Sequence, residues 1–285
     1  MQNIFWYIII AIISLVSTGY TIYLKRDTYR VSTLLVFYLY MAGFTWICEF
    51  LVLGLFNAYS YKTGFFIDPW AQNLLGHLIL NTTFYPAAAI IVVTSLRRYT
   101  WISFFIALFT FIDYLYVYIR VYEHHWWRYY MTAITVLVLL IIAYKWFDRL
   151  KQKRYGLTRA ITFYFVAMVI IHTPAPILLL MGKQYYKIGF VNNLCGNLYL
   201  SSIIIIFFYH VIEALLLVLF TCVLKRWHWS LIPFFISIVT QSIFVKMGIL
   251  IMEGGWRFAY TLIVYEVFIA IFILIEKNTL KPNTN

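Results

Sequence analysis

The sequence predicts an all-α integral membrane protein of about nine transmembrane helices: one N-terminal helix followed by two parallel four-helix repeats. Composition, the spacing of apolar runs and an internal duplication carry that expectation. Of 285 residues, 64% are hydrophobic, 21% aromatic and only 11% charged. Soluble domains are about half apolar and roughly a quarter charged. A water-soluble fold of this length cannot hide so many Phe, Tyr, Ile and Leu side chains, whereas a bilayer accepts them. The balance excludes a cytosolic enzyme and a nucleic-acid-binding domain despite a net charge of +12. Cys48, Cys195 and Cys222 fall in or beside apolar runs without CxxC spacing, so no disulfide framework is expected.

A helix crossing the hydrocarbon core needs about 20 mostly apolar residues. Nine runs qualify: Ile4–Leu24, Val31–Leu55, Trp70–Leu96, Trp101–Ile119, Tyr129–Trp146, Ala160–Met181, Leu194–Leu224, Ser230–Met252 and Phe258–Ile275. Each closes on a charged or turn-rich break. The first has no basic residue ahead of it and no small-x-small cleavage site behind it, so it reads as a retained helix.

Lysine and arginine in the short connections set the expected orientation. The connections after spans one, three, five and seven, with the C-terminal tail, collect fifteen basic residues from Lys25 to Lys281. The other side has six: Lys62, Arg120, Arg128, Lys183, Lys187 and Arg257. The richer side should be cytoplasmic, placing the N-terminus outside the cell membrane and the C-terminus inside. The basic excess then matches anionic headgroups of the lipid bilayer rather than nucleic acid.

Self-comparison shows the duplication. Tyr61-Lys62-Thr63-Gly64-Phe65 precedes the third span, and Tyr186-Lys187-Ile188-Gly189-Phe190 precedes the seventh. Arg97-Arg98-Tyr99-Thr100-Trp101 recurs as Lys225-Arg226-Trp227-His228-Trp229. Glu123-His124-His125-Trp126-Trp127-Arg128 recurs as Glu253-Gly254-Gly255-Trp256-Arg257. Three loops agree in register, which one chance pentapeptide would not do. The expected divisions are an N-terminal transmembrane helix at 1–30, repeats at 31–155 and 156–278, and a cytoplasmic tail at 279–285. Four spans per repeat is an even number, so both repeats enter the membrane in the same direction. The Trp residues of these loops are also what interfacial anchoring alone requires. Glu123–Arg128 and Glu253–Arg257 are expected to form ion pairs on the outer hairpins. With an acid in its first helix, a Tyr-rich turn and a Glu-x-x-Trp-Arg-like approach to its last helix, the half-unit resembles small multi-pass membrane proteins of Bacillus- and Clostridium-type bacteria. The likeness spans 31–278 and implies a doubled helical scaffold, with no activity to carry over.

Ionisable groups inside spans are costly and are functional candidates by default. Counting about 1.5 Å per residue from the outer end of each span puts Glu49, His77, Asp113, Lys246 and Glu266 roughly 9–12 Å deep. Five such residues at one depth predict a pocket open to the outside, with Lys246 and Glu266 as an ion pair. The structural alternative is that Lys246 snorkels outward and Glu49 is hydrated at the interface. Burial disfavours charged carboxylates, so one or more acids should be protonated or neutralised. The expected ligand is a small molecule, a cation (an amine included) or a proton.

Secondary candidates are His172, His210, Glu213 and Gln241. His172 stands beside the span-breaking Pro174 and Pro176, which free backbone carbonyls. His210 and Glu213 share a helix face, but their order is reversed relative to carboxylate metal sites, and a packing hydrogen bond is expected rather than a metal. Gln241 aligns with Asp113, so an acid in one half meets an amide in the other. His124-His125 is read as a poor chelator. Gly76 to Arg97 is 21 residues and Gly196 to Lys225 is 29, which predicts a tilted, kinked or protruding seventh span. No nucleotide-binding or HExxH motif occurs, and the cofactor, if the protein uses one, is unknown from the sequence. A binder or transporter ranks first, a membrane-embedded enzyme on a lipid or isoprenoid second, and a non-catalytic subunit binding a protein partner or another copy third.

Overall fold

The computed structural model describes residues 3–152, 156–224 and 227–280. Lys153, Arg154, Lys225, Arg226 and Lys281, which enter the charge count, lie outside these residues, as does most of the tail. Among the described residues nine helices are long and apolar enough to cross a bilayer. Hydrocarbon offers no partner for backbone N–H and C=O groups, so spanning segments close their hydrogen bonds internally as helices. Their outer faces suit lipid. Ile12, Ile13, Val16, Ile212, Leu215, Ile263 and Leu274 are all exposed, and apolar bands of this extent would drive aggregation in water. The chain divides into two compact units between Thr158 and Arg159.

The first unit contains α1 (Ile4–Lys25), α2 (Val31–Glu49), α3 (Pro69–Thr94), α4 (Arg98–Tyr118) and α5 (Tyr129–Lys151). Strands β1 (Tyr59–Tyr61) and β2 (Tyr122–His124) precede α3 and α5. The α2 crossing continues as a π-helical turn, Phe50–Leu55, so Glu49 stands where the winding changes. Helix α3 packs against α1, α2, α4 and α5. It starts sharply because Pro69 occupies its first turn and the Asp68 carboxylate accepts from the backbone of Trp70 (2.8 Å) and Ala71 (3.0 Å). Pro86 inside α3 cannot bond the carbonyl four residues back, that of Thr82. The Tyr38 hydroxyl donates to that carbonyl instead, so the proline leaves no orphan acceptor there. Ala88, Val92, Phe105, Phe109, Val136 and Leu140 close the apolar contact of α3, α4 and α5.

β1 and β2 pair antiparallel, with Tyr59 opposite His124 and Tyr61 opposite Tyr122. Two of the recurring sequence motifs therefore meet in space. The pair is clamped by Lys62 N donating to Val121 O (2.9 Å) and by Ala58 O accepting from the backbone of His125, Trp126 and Trp127. The expected Glu123–Arg128 ion pair is replaced by Lys62 Nζ–Glu123 Oε2 at 2.8 Å, because the pairing sets Glu123 opposite Ser60, two residues from Lys62. Arg128 turns instead onto the Trp127 carbonyl. The Lys62 hydrogen bond, then its charge, holds the Glu123 carboxyl below the ordinary glutamate value. Its stabilisation is therefore present above that ordinary value and is lost as pH falls through the lowered one. Both groups are exposed, so Lys62→Gln should cost less than about 1 kcal/mol at neutral pH and nothing in strong acid. Thermal unfolding of the two chains at both pH values checks this.

The second unit contains α6 (Gly156–His172), α7 (Pro174–Leu180), α8 (Gly189–Cys195), α9 (Leu198–Val218), α10 (Ile232–Lys246) and α11 (Phe258–Asn278), with β3 (Gln184–Tyr186) paired to β4 (Leu250–Met252). The α6 helix starts just before the division and forms one 25-residue crossing with α7. Three expectations need correction. The eighth span was expected to reach Met252, but it ends at Lys246. Gly248 turns left-handed (φ +66°) and the apolar residues beyond it pair as β4. The seventh begins at Leu198, after a left-handed Gly196 (φ +62°) that separates it from α8. It is no longer than α3: both crossings have 26 residues. The length difference arose from equating Gly76, which is inside a helix, with Gly196, which ends one.

Arg159, expected in a loop, is buried near the start of α6. Its guanidinium donates to the Glu276 carboxylate, to Glu276 O (3.0 Å) and to Leu280 O (3.1 Å). It thus satisfies one carbonyl in the last turn of α11 that the helix itself leaves open, and one just beyond the helix.

Candidate functional site

The first unit contains a half-open cavity of about 310 Å³. Its walls are mostly aromatic and aliphatic, including Tyr59, Tyr85, Phe109 and Trp127, and its charged lining residues are Glu49 and Asp113. Each acid is held by a separate set of neighbours. Tyr61 Oη and Asn81 Nδ2 donate to the two oxygens of Glu49. His77 Nδ1 lies 3.7 Å from Glu49 Oε2. Asn73, His77 and Asn81 recur every fourth residue on α3, so one helix face reaches the strand and the acid together. Asn73 Oδ1 accepts from Tyr61 N at 2.7 Å and fixes the tyrosine that caps Glu49. The His77 ring meets Trp46 edge-on, 4.9 Å between centroids.

Asp113 on α4 is approached by His124 Nε2 at 2.8 Å and accepts from Thr132 Oγ1 at 2.5 Å. Trp127 Nε1 donates to Thr132 in turn, at 2.8 Å. The strand pair thus delivers one residue to each acid, Tyr61 to Glu49 and His124 to Asp113. Burial, then the charge of Glu49, raises the phenols of Tyr59 and Tyr61 well above the ordinary tyrosine value. Tyr122 is raised by burial, Tyr59 and Asp113. All three are neutral at physiological pH and present O–H groups and ring faces.

Of the five primary candidates, Glu49, His77 and Asp113 belong to this neighbourhood, with His77 acting on Glu49 from outside the cavity wall. Lys246 and Glu266 belong to the second unit. Their expected ion pair is not formed: both Glu266 carboxyl oxygens lack a hydrogen-bond partner, and Lys246 is exposed at the end of α10. The depth count assumed a helix running on to Met252, whereas the early stop leaves the lysine free to extend along its stem. Of the secondary candidates, His172 Nδ1 and His210 Nδ1 are 3.1 Å apart, and His210 Nε2 is 3.7 Å from Glu213 Oε2. Gln241 Nε2 donates to Ser237 Oγ at 3.3 Å. Asn73, Asn81 and Thr132 were not singled out in the sequence, Tyr61 entered only as part of a repeated loop motif, and His124, read there as a poor chelator, proves to be the partner of Asp113. The four-residue spacing of Asn73, His77 and Asn81 was the one legible signal for the two asparagines.

Among the described residues no group of three or more His, Cys, Asp or Glu side chains is arranged to hold a metal ion. Comparison with known protein families, with curated proteins and with solved structures finds no match for this chain.

Proposed function

We propose that this is a multi-pass protein of the cell membrane whose first unit binds, or carries across, a small cationic molecule in the cavity lined by Glu49 and Asp113. The observation that carries the reading is the pairing of two buried acids with aromatic walls and no lysine or arginine in the lining. Aromatic faces attract cations, and a desolvated carboxylate needs a compensating positive charge. The volume is near the lower end of the roughly 300–1,000 Å³ typical of small-molecule pockets. Without a metal-ligand cluster, an amine-bearing organic cation fits better than a metal ion.

The proposal extends to the architecture. Two four-helix repeats after one N-terminal helix are supported by matched bonds within each unit. Trp127 Nε1 donates to Thr132 Oγ1 at 2.8 Å and Trp256 Nε1 to Thr261 Oγ1 at 2.9 Å. Lys62 N donates to Val121 O at 2.9 Å and Lys187 N to Ile249 O at 2.8 Å. Tyr61 N and Tyr186 N donate to side chains of the following long helix, Asn73 and Ser202. The excess of basic residues on one side supports an outer N-terminus and a cytoplasmic C-terminus.

Native mass spectrometry of the chain released from nanodiscs made of its own membrane tests the binding reading. An amine-bearing small molecule is expected to leave with the wild-type protein. Glu49→Gln and Asp113→Asn should each weaken its retention by about tenfold to a hundredfold, the loss of a hydrogen bond to a charged group. A wild-type chain free of small-molecule adducts, or adducts indifferent to both substitutions, would sink the proposal.

A further inference from the structure

The second unit contains a cluster of polar groups that the first unit's cavity does not use. Glu213 on α9 is 4% exposed, and neither it nor Glu266 on α11 has a hydrogen-bond partner at either carboxyl oxygen. Tyr209 Oη, His210 Nε2 and Gln241 Oε1 are likewise buried and unpartnered. His210 and Gln241 are fully buried. Ser237 of α10 faces both carboxyls, Tyr209 faces Glu213 and Gln241, and the two acids lie close enough to act on each other electrostatically.

The titratable groups that face this cluster come from four elements. They are His172 on α6, Tyr186 on β3, Tyr209 and His210 on α9 itself, and Tyr265 and Glu266 on α11, while α10 presents the neutral Ser237 and Gln241. Among the described residues neither carboxyl lies within ion-pair distance of a lysine or arginine. With both acids ionised, two like charges and the Gln241 oxygen would face one another in a low-dielectric span with acceptors in excess of donors. Buried polar groups left in that state are costly, and two carboxylates that share a site do not both ionise readily. The missing element is a donor small enough to fit between side chains.

We infer that Glu213 and Glu266 hold one proton between them, taken from water, so that the second unit is a proton-binding site. One carboxylic acid then donates its O–H to the acceptors around it, and the pair carries a single negative charge. His210 lies between this pair and His172, which is the arrangement of side chains through which a proton could reach it. The inference does not depend on what occupies the first unit's cavity.

The test uses dicyclohexylcarbodiimide, which modifies protonated carboxyls in apolar surroundings, on the full chain in nanodiscs, with peptide mapping by mass spectrometry over a neutral-to-alkaline pH series. One adduct per chain is expected, on Glu213 or Glu266, falling away as the pH rises and absent from Glu213→Gln/Glu266→Gln. An infrared titration covers the case of a reagent that cannot enter: wild type should show a protonated-carboxyl band that the double variant lacks. Absence of both the adduct and the band overturns the inference, as does modification of both acids in one chain. Protection by sodium or by an alkylammonium ion also overturns it, because a cation would then hold the site. Failure here leaves the adduct experiment on Glu49 and Asp113 untouched.

Discussion

Arg159→Met is expected to destabilise the folded chain by about 3–5 kcal/mol, the cost of removing one partner of a buried ion pair. The guanidinium and the Glu276 carboxylate are both almost fully buried, at 7% and 6% exposure. Removing the arginine leaves the acid charged and unpaired, and strips the Glu276 and Leu280 carbonyls of their donor. Glu276→Leu should cost a similar amount from the other side, with the backbone bonds retained. The double variant should be much closer to wild type than the sum of the singles, because no lone charge remains buried. Its recovery should be incomplete, since the two carbonyls still lack Arg159. A double-mutant cycle read from reversible unfolding in mixed micelles isolates the pair. If Arg159→Met changes stability by less than about 1 kcal/mol, or if the single effects simply add, the pair does not hold α6 to α11 as described.

This charge pair shows where sequence reading stopped short. Arg159 was grouped with loop cations because the preceding residues are strongly basic, and nothing local distinguishes it from them. Its partner is 117 residues away. The spans themselves were legible because the requirement for them is local: hydrocarbon demands a run of apolar residues long enough to cross it. Errors came where apolar residues serve another purpose, as in Leu250–Met252, which pair as a strand. Glu49 and Asp113 stood out because an acid in an apolar run is expensive wherever it goes. Their partners were hidden, since a tyrosine in a turn or an asparagine in a helix carries no such penalty, and only the long-range β1–β2 pairing and the four-residue face of α3 bring them to the acids. The expected ion pair of Lys246 with Glu266 failed because the depth of the lysine was counted along a helix that ends six residues early.

Gly76→Ala is the second large effect expected, and its sign runs against helix propensity. In a helix interior alanine is usually favoured over glycine by about 1 kcal/mol. At Gly76, however, a Cβ would lie 2.5 Å from Tyr61 Cγ, 2.6 Å from its Cβ and 2.8 Å from its Cδ2. Tyr61 has little room to retreat. Its backbone N–H is held by Asn73, its strand is paired with β2, and its hydroxyl is bound to Glu49. The methyl group should therefore cost about 1–3 kcal/mol net as an overpacking defect. Part of that cost should appear as a displaced Tyr61, leaving Glu49 without one of its donors and loosening whatever the cavity holds. Gly19→Ala in α1 is the control, because nothing lies within 4 Å of the added Cβ. It should be neutral or stabilising by up to about 1 kcal/mol. Unfolding measurements on the two variants, beside ligand retention for Gly76→Ala, separate the accounts. If both glycines respond alike, helix propensity governs α3 and the close approach of Tyr61 does not organise the Glu49 site. If they diverge as expected, the absent side chain at Gly76 is what lets strand β1 bring Tyr61 to the acid.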